Sequence, residues 1–226
     1  MIAHHFTTQR TARYYTIGQP GPQARDVWFV CHGYGQLAAE FMAEFEPLAA
    51  PDRLIVAPEA LSRFYPGDAN GRHGRDARIA ASWMTREDRL SEIDDYVAYL
   101  DGLAEHVLSA CPDSARLRVL GFSQGASTAC RWIARGKRKP AELIVWAGEM
   151  TFDLDDAPLA ERLQGVGIHL VGGLRDRLVP SAIIDKQRDR LRRAGVDATV
   201  HHFDGGHRLD RQILADLAGG PIAQRT

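Results

Sequence analysis

The chain lacks several features that would place it outside the ordinary globular proteins. It has only three cysteines, Cys31, Cys111 and Cys130, without metal-ligand spacing, so we expect free thiols rather than disulfides or a zinc site. Its formal net charge of −1 gives no overall field that would attract a nucleic acid. No apolar run approaches the roughly 20 residues that span a bilayer, and residues 1–13 contain no apolar signal-peptide core. We therefore expect a cytoplasmic protein without a nucleic-acid partner or an integral membrane segment.

Short apolar runs alternate with helical patterns along the chain, and this alternation predicts the fold class. Five runs are apolar almost throughout, as expected of strands buried on both faces of a parallel sheet. They cover residues 27–31, 54–57, 117–120, 143–146 and 168–171. We predict an α/β fold with a mostly parallel central sheet, helices on both faces and a two-stranded antiparallel start. Without a repeat or a linker, a single domain is expected over residues 1–226.

Two segments have no clear period and are predicted to be irregular. Residues 59–84 contain one proline, three glycines and four arginines, and they indicate a long loop of the kind that is often functional. Residues 149–165 are acidic and also lack a period. Between them, Thr85 and Asp88 have the spacing of a capping box before an amphipathic helix.

The pentapeptide Gly-Phe-Ser-Gln-Gly at residues 121–125 is the strongest functional signal. It follows an apolar strand and precedes a helical pattern, which is the context of a nucleophile elbow. Glycines at both ends let the strand and the helix approach closely, so that Ser123 projects from the tip of the turn. A serine is a poor nucleophile without an adjacent base, and the pattern therefore predicts a base and an acid elsewhere in the chain.

An aspartate and a histidine follow two later strands, each in a glycine-led loop before a helix. Asp176 follows the run at 168–171, and His207 follows a strand predicted at 196–203. Ligands bind at the carboxyl ends of the strands in open α/β sheets, so these side chains are expected to converge on Ser123. The chain order serine, aspartate, histidine is the order that α/β-hydrolases use.

Other acidic residues and histidines are alternatives to Asp176 and His207. The acidic residues after the strand at 143–146 remain an alternative for the acid, namely Asp153, Asp155 and Asp156. His201 and His202 lie inside the predicted last strand and are expected to be packing or surface residues. His32 is expected to be structural, hydrogen-bonded beneath its own loop.

An oxyanion hole requires two backbone N–H donors. One is expected from Gln124, the residue after the nucleophile, and the other from the loop after an early strand. That loop has the sequence His-Gly-Tyr-Gly at residues 32–35. Tyr34 is therefore the expected second donor, and its side chain is free to shape the substrate pocket.

Together these motifs resemble the phospholipase/carboxylesterase family of α/β-hydrolases, which includes the acyl-protein thioesterases. The resemblance rests on residues 32–35, 57–58, 82–84, 121–125, 173–180 and 206–207, and so covers most of the chain. It implies an α/β-hydrolase fold without a large cap domain. It also implies hydrolysis of carboxylic esters or thioesters without a metal or a cofactor. Tyr34 stands where the family often has an aliphatic residue, and Met84-Thr85 follows Trp83 where Phe-Asp is usual.

Aromatic residues and methionines near the expected site are candidates for the substrate pocket. They are Phe64, Tyr65, Trp83, Met84, Trp146 and Met150, with Phe152 as a further candidate. Ordinary core or loop packing is the alternative for each of them. The expected partner is a small-molecule ester or thioester, and a homodimer is left open.

The predicted function is hydrolysis through an acyl-serine intermediate. His207 takes the proton of Ser123, Asp176 orients His207, and the N–H groups of Tyr34 and Gln124 hold the oxyanion. An acyltransferase or perhydrolase with the same triad is one alternative. A catalytically inactive binding protein is another, and it is disfavoured because no triad residue is missing.

Overall fold

Seven strands form one central sheet in the computed structural model, which describes residues 1–67, 74–151 and 156–219 (the backbone alone for 156–157). In chain order the strands are β1 Tyr14–Ile17, β2 Asp26–Cys31, β3 Arg53–Pro58, β4 Ser62–Phe64, β5 Ala80–Ser82, β6 Arg116–Phe122, β7 Glu142–Trp146, β8 Gly167–Gly173 and β9 Thr199–Phe203. The sheet order is β1-β3-β2-β6-β7-β8-β9, and only the β1–β3 pair in it is antiparallel. Strands β4 and β5 form a separate antiparallel pair.

Six α-helices cover the two faces of the sheet within the described residues. They are α1 Ala38–Met42, α2 Arg89–Leu108, α3 Gln124–Arg135, α4 Asp156–Leu163, α5 Ser181–Arg193 and α6 Arg211–Leu217. Helices α2 to α5 contribute to the core on one face, whereas α1, α6 and a 3₁₀ helix at Ala43–Leu48 contribute to the other. None of these helices is long and apolar enough to cross a membrane. The predicted architecture, a mostly parallel sheet between two helical layers, is confirmed.

Strand β2 shows why continuous apolar runs predict the central strands. Its residues alternate between the two cores, with Val27, Phe29 and Cys31 on the face of α2 to α5 and Trp28 and Val30 on the opposite face. All five residues are fully buried. A strand covered on both sides has no solvated face, so every position is apolar. Burial of each larger side chain stabilises the fold by about 1.5–3 kcal/mol.

A buried ion-pair network closes the amino-terminal end of the sheet. Asp26 accepts hydrogen bonds from the Nε atoms of Arg53 at 2.9 Å and Arg118 at 2.8 Å. The same guanidinium groups donate to the carbonyl oxygens of Ala218 at 2.5 Å and Leu217 at 2.6 Å, where α6 ends. Cations are favourable there because the last carbonyls of a helix are unsatisfied and carry its negative dipole end. The network anchors α6 at the end of the sheet opposite to the predicted site.

The observed elements differ from the sequence-based prediction in three places. The predicted antiparallel pair at the start of the chain is different, because β1 pairs with β3 and not with β2. Strand β2 already has β3 and β6 as parallel neighbours on its two edges. The predicted loop at 59–84 contains β4 and β5, and its residues 68–73 lie outside the described part. The predicted irregular segment 149–165 contains helix α4.

The predicted capping box before α2 is also wrong. Asp88 precedes the helix with a left-handed φ of 47° and makes no side-chain cap bond. The N–H of Thr85 instead donates to the carboxylate of Glu92 at 2.6 Å. The helix therefore starts four residues after Thr85, at Arg89, and the carboxylate that reaches back comes from its first turn.

Two histidines face each other across strands β8 and β9. The Nδ1 atom of His169 lies 3.0 Å from the Nε2 atom of His201. Burial lowers the pKa of both groups; for His169 the charge of Glu142 acts in the opposite direction and raises its pKa. A hydrogen bond between two imidazoles requires one of these nitrogens to be unprotonated. The folded protein therefore resists double protonation of this pair.

Acidification is expected to destabilise the protein through these histidines. Their pKa values are depressed in the folded state, so the unfolded chain binds more protons as the pH falls below about 6.5. The stabilisation is complete above that value and is lost as the pH decreases. Thermal unfolding should give a melting temperature that falls between about pH 7.5 and 5.5, and less steeply for His201→Gln. An equally steep fall in the variant would show that the pair does not contribute.

Candidate active site

Ser123 occupies the tight turn between strand β6 and helix α3. Its backbone has a φ of 55° and a ψ of −118°, a conformation that residues other than glycine rarely adopt. Such a conformation costs on the order of 1–3 kcal/mol and persists only where surrounding structure imposes it. One such constraint is the bond from the Ser123 N–H to the carbonyl oxygen of Trp146, at 2.9 Å. The turn places Ser123 at the amino-terminal end of α3.

Two glycines allow helix α3 to begin directly against the sheet. A Cβ atom at Gly125 would overlap the carbonyl oxygens of Cys31 and His32, where β2 ends. A Cβ atom at Gly121 would overlap the carbonyl oxygen of Gly125. The close approach of strand and helix that the pentapeptide predicts is therefore present.

Asp176 and His207 form a hydrogen-bonded pair in the loops after β8 and β9. The Nδ1 atom of His207 lies 2.8 Å from Oδ2 of Asp176. The other carboxylate oxygen accepts the backbone N–H groups of Leu178 at 2.8 Å and Val179 at 3.0 Å. The Asp176 side chain is fully buried, whereas that of His207 is 20% exposed. The carboxylate is thus fixed on both oxygens, and the imidazole is held with one edge toward the solvent-accessible side.

His207 lies beside the Ser123 turn. Its ring centroid is 4.9 Å from that of Phe122, the residue immediately before Ser123. Both rings line an open cleft of about 440 Å³. The other lining residues are Gln36, Phe41, Glu44, Arg208, Leu209, Asp210, Arg211 and Gln212. The structure therefore brings the three residues predicted from the sequence to one end of the sheet, where His207 lines the cleft beside the Ser123 turn.

The loop after β2 lies against the same turn. A Cβ atom added at Gly33 would stand 3.2 Å from the Cβ of Ser123. The backbone N–H groups of Tyr34 and Gln124 have no hydrogen-bond partner among the described residues. The Tyr34 side chain is 61% exposed, and its ring centroid is 5.5 Å from that of Phe64. Two backbone donors without partners thus flank Ser123, at the positions predicted from the sequence.

The side chain of Gln124 has a role that sequence reasoning missed. Its Oε1 accepts the backbone N–H of Trp83 at 3.0 Å, and its Nε2 donates to the carbonyl oxygen of Met84 at 2.8 Å. The same amide nitrogen donates to Oγ of Ser82 at 3.2 Å. The amide therefore fastens the start of α3 to the segment after β5. Both partners belong to sequence motifs, at residues 121–125 and 82–84, but neither motif by itself indicates that its side chains meet.

His32 is buried, and backbone groups occupy both of its ring nitrogens. Nδ1 lies 2.8 Å from the carbonyl oxygen of Gly33, and Nε2 accepts the N–H of Ala60 at 3.1 Å. Burial lowers the pKa of His32, so the ring is neutral at physiological pH. A histidine held in this way has no nitrogen available as a base, in agreement with its predicted structural role.

The predicted pocket residues separate into three groups. Phe64 and Tyr65 line, with Tyr34 and Arg78, an open pocket of about 510 Å³ beside the loop after β2. Met84 is half-buried and packs against the core. The other three candidates, Trp83, Trp146 and Met150, are at most 2% exposed and belong to the two cores.

The burial of these three residues corrects the prediction that they line the substrate pocket. The indole N–H of Trp83 donates to the carbonyl oxygen of His32 at 2.8 Å, and that of Trp146 to Arg208 at 3.0 Å. Both indoles therefore donate hydrogen bonds from the core to backbone carbonyls in the loops after β2 and β9. Met150 instead packs in the core on the side of α4 and α5. Phe152 lies outside the described residues.

Of the alternative acids and bases, those within the described residues lie elsewhere in the fold. Asp153 and Asp155 lie outside the described residues, and Asp156 begins helix α4. His201 bonds to His169, and His202 is exposed on β9. Of the arginines at 59–84, Arg63 pairs with the buried Glu59 at 3.1 Å and Arg75 is exposed, whereas Arg72 is not described. Within the described ranges, no three histidine, cysteine or acidic residues lie close enough together to hold a metal ion.

Sequence comparison decides the family. A sequence profile of the family described as phospholipase/carboxylesterase matches residues 12–219, nearly the whole chain. The chain belongs to the phospholipase/carboxylesterase family. The resemblance inferred from the motifs, and with it the α/β-hydrolase fold, is confirmed. No curated protein sequence is significantly similar to this family member.

Solved structures of several hydrolases share the fold of this phospholipase/carboxylesterase family member. Acyl-protein thioesterase 2 of Zea mays superposes with a TM-score of 0.67 at 18% identity, over 92% of this chain and 96% of the other. Esterase PE8 has the same TM-score at 19% identity, over 92% and 97% of the two chains. A phospholipase/carboxylesterase of Dyadobacter fermentans has a TM-score of 0.59 at 17% identity, over 90% and 91%. At such identities these similarities establish a common fold.

Substitution of Gly125 by alanine tests the close packing at the Ser123 turn. The added methyl group overlaps two carbonyl oxygens of β2 and forces α3 away from the sheet, which is expected to cost about 1–3 kcal/mol or more. Thermal unfolding should show a clearly lower melting temperature. Gly102→Ala is the matched control, because an added Cβ meets nothing within 4 Å there in helix α2, where alanine is favoured by roughly 0.5–1 kcal/mol. Equal melting temperatures for the two variants would contradict the packing argument.

Proposed function

We propose that the protein is a serine hydrolase that cleaves carboxylic ester or thioester bonds of small molecules through an acyl intermediate on Ser123. The observation that carries the proposal is the buried Asp176–His207 pair, 2.8 Å apart, at the edge of the cleft that adjoins the Ser123 turn. Membership of the phospholipase/carboxylesterase family supports the same reaction class. The proposal needs only groups that the chain itself supplies.

Asp176 determines which ring nitrogen of His207 carries the proton in this mechanism. An ionised carboxylate only accepts hydrogen bonds, so the contact of Oδ2 with His207 places the imidazole proton on Nδ1. Nε2 is then the basic nitrogen that removes the Oγ proton as Ser123 attacks the acyl carbon. The resulting imidazolium is stabilised by the buried carboxylate. The two backbone donors on Oδ1 keep the carboxylate oriented as the charge moves.

The N–H groups of Tyr34 and Gln124 form the oxyanion hole. They flank Ser123 and point to no other acceptor among the described residues. As the carbonyl carbon becomes tetrahedral, its oxygen gains negative charge, which two fixed donors stabilise by roughly 3 kcal/mol each. The position of Gln124 at the first turn of α3 adds the positive end of the helix dipole.

His207 acts as an acid to complete the first half of the reaction, and water then repeats the steps in the second half. His207 gives its proton to the leaving alcohol or thiol, which departs and leaves the acyl group on Ser123. Water then loses a proton to His207 and attacks the acyl carbon, and the protonated His207 returns the proton to Ser123 as the acid is released. The free enzyme is thereby regenerated, with the proton back on Ser123 and His207 neutral.

Covalent labelling of Ser123 tests the proposed nucleophile. A fluorophosphonate probe is expected to label the wild-type protein once and to leave Ser123→Ala unlabelled, because the probe reacts only with an activated serine. Ser127→Ala is the matched control, since the Ser127 hydroxyl only donates to the carbonyl oxygen of Glu149. Labelling of Ser123→Ala at the wild-type level, or none of the wild type, would refute the proposal.

Replacement of Asp176 by asparagine tests the proposed charge arrangement. The amide has nearly the same shape but gives the imidazole a donor or a neutral acceptor in place of a carboxylate, which disfavours the Nδ1–H tautomer. By analogy with serine proteases, kcat for an activated ester should fall by about 10⁴-fold. Asp185→Asn, which neutralises a partly exposed carboxylate paired with Arg188 within helix α5, should keep most of the activity. A loss below about tenfold for Asp176→Asn would exclude the assigned role.

A further inference from the structure

The peptide unit between Gly33 and Tyr34 is held from behind. Its N–H, which belongs to Tyr34, is one of the two proposed oxyanion donors. Its carbonyl oxygen, which belongs to Gly33, lies 2.8 Å from Nδ1 of His32. A trans peptide is planar, and its C=O and N–H point in opposite directions. A hydrogen bond that fixes the carbonyl therefore also fixes the direction of the N–H.

The second ring nitrogen of His32 determines which proton is available for this bond. Nε2 lies 3.1 Å from the backbone nitrogen of Ala60. A backbone N–H can only donate, so Nε2 is the unprotonated acceptor and Nδ1 carries the ring proton. The side chain is fully buried, and its pKa is lowered by that burial. A single neutral tautomer therefore directs one N–H at the Gly33 carbonyl.

Trp83 holds the His32 ring and links it to the other donor. Its indole lies against the imidazole with ring centroids 5.1 Å apart, and its indole N–H donates to the carbonyl oxygen of His32 at 2.8 Å. The backbone N–H of Trp83 donates in turn to Oε1 of Gln124 at 3.0 Å. A continuous chain of contacts thus joins the loop of the first donor to the residue of the second.

We propose that His32 is a positioning residue that presets the Tyr34 N–H for the oxyanion. The hydrogen bonds run from the Ala60 N–H to His32, from His32 to the Gly33 carbonyl, and through that peptide to the Tyr34 N–H. Each bond polarises the next, and a donor already oriented needs no reorganisation as the negative charge develops. This inference rests on the proposed function, because it requires that the Tyr34 N–H serves the oxyanion.

Two substitutions of His32 separate its hydrogen bond to the Gly33 carbonyl from its contact with the Ala60 N–H. Asparagine places an amide nitrogen the same number of bonds from Cβ as Nδ1, and retains the donor to Gly33. Glutamine places its amide at the distance of Nε2, and retains only the contact with Ala60. Loss of an oxyanion donor lowers kcat by about 10²–10³-fold. We expect His32→Gln to lose at least about tenfold in kcat at an unchanged KM, and His32→Asn to recover most of it.

Readouts that a merely structural role would not move complete the test. A boronic acid that forms a tetrahedral adduct should lose affinity for His32→Gln in proportion to kcat. The exposed His202, as His202→Gln, is the control and should keep the wild-type kcat. Equal losses in the asparagine and glutamine variants, a change confined to KM, or full activity in both would overturn the inference.

A measurement on the wild-type protein keeps the inference testable if either variant fails to fold. The ¹⁵N NMR shifts of the His32 ring should show the neutral Nδ1–H tautomer at neutral pH. The Nε2–H tautomer or an imidazolium would overturn the inference. If the wild type neither labels with a fluorophosphonate nor hydrolyses an activated ester, the proposed function itself fails. An active wild type with the contrary variant or tautomer result would refute only the role of His32.

Discussion

The close contact between the first turn of helix α3 and the carboxyl end of strand β2 is the constraint on which the site depends. Gly125 meets the carbonyl groups of Cys31 and His32 with no room for a side chain. This contact brings the Ser123 turn and the loop at residues 32–35 together, although 88 to 91 residues separate them in the chain. It follows from the parallel pairing of β2 and β6, which places both strand ends at the same edge of the sheet.

A second close contact brings the acid and the base together in the same way. A side chain at Gly173 would overlap the carbonyl oxygens of Gly205 and Gly206, so the loops after β8 and β9 lie directly against each other. Asp176 is then buried against the donors of its own loop and the ring of His207. Beneath the site, the side chains of Gln124 and Trp83 link the start of α3, the segment after β5 and the loop after β2. The proposed chemistry therefore depends on residues that are buried or half-buried, except Tyr34, which is exposed.

The sequence predicted which residues meet at one edge of the sheet better than it predicted their surroundings. Ser123, Asp176 and His207 each sit in a local motif at the end of a strand, and a parallel sheet gathers such ends at one edge without further information. The pairing of β1 with β3 is a non-local choice that no single segment encodes. Hydrophobicity likewise does not distinguish a pocket wall from a core. Trp83 and Trp146 were therefore expected in the pocket, although the structure buries them beneath the site. The side chain of Gln124 was missed because its partners, Trp83 and Met84, are about 40 residues away.

Detection of the acyl-enzyme tests the central claim most directly. The wild-type protein is mixed with p-nitrophenyl acetate, quenched in acid within the first turnovers and analysed by intact mass and peptide mapping. The account predicts the mass of one acetyl group on the peptide that contains Ser123, formed together with a burst of p-nitrophenol. Release of p-nitrophenol with no acyl group on the protein, or with the group on another residue, would contradict it.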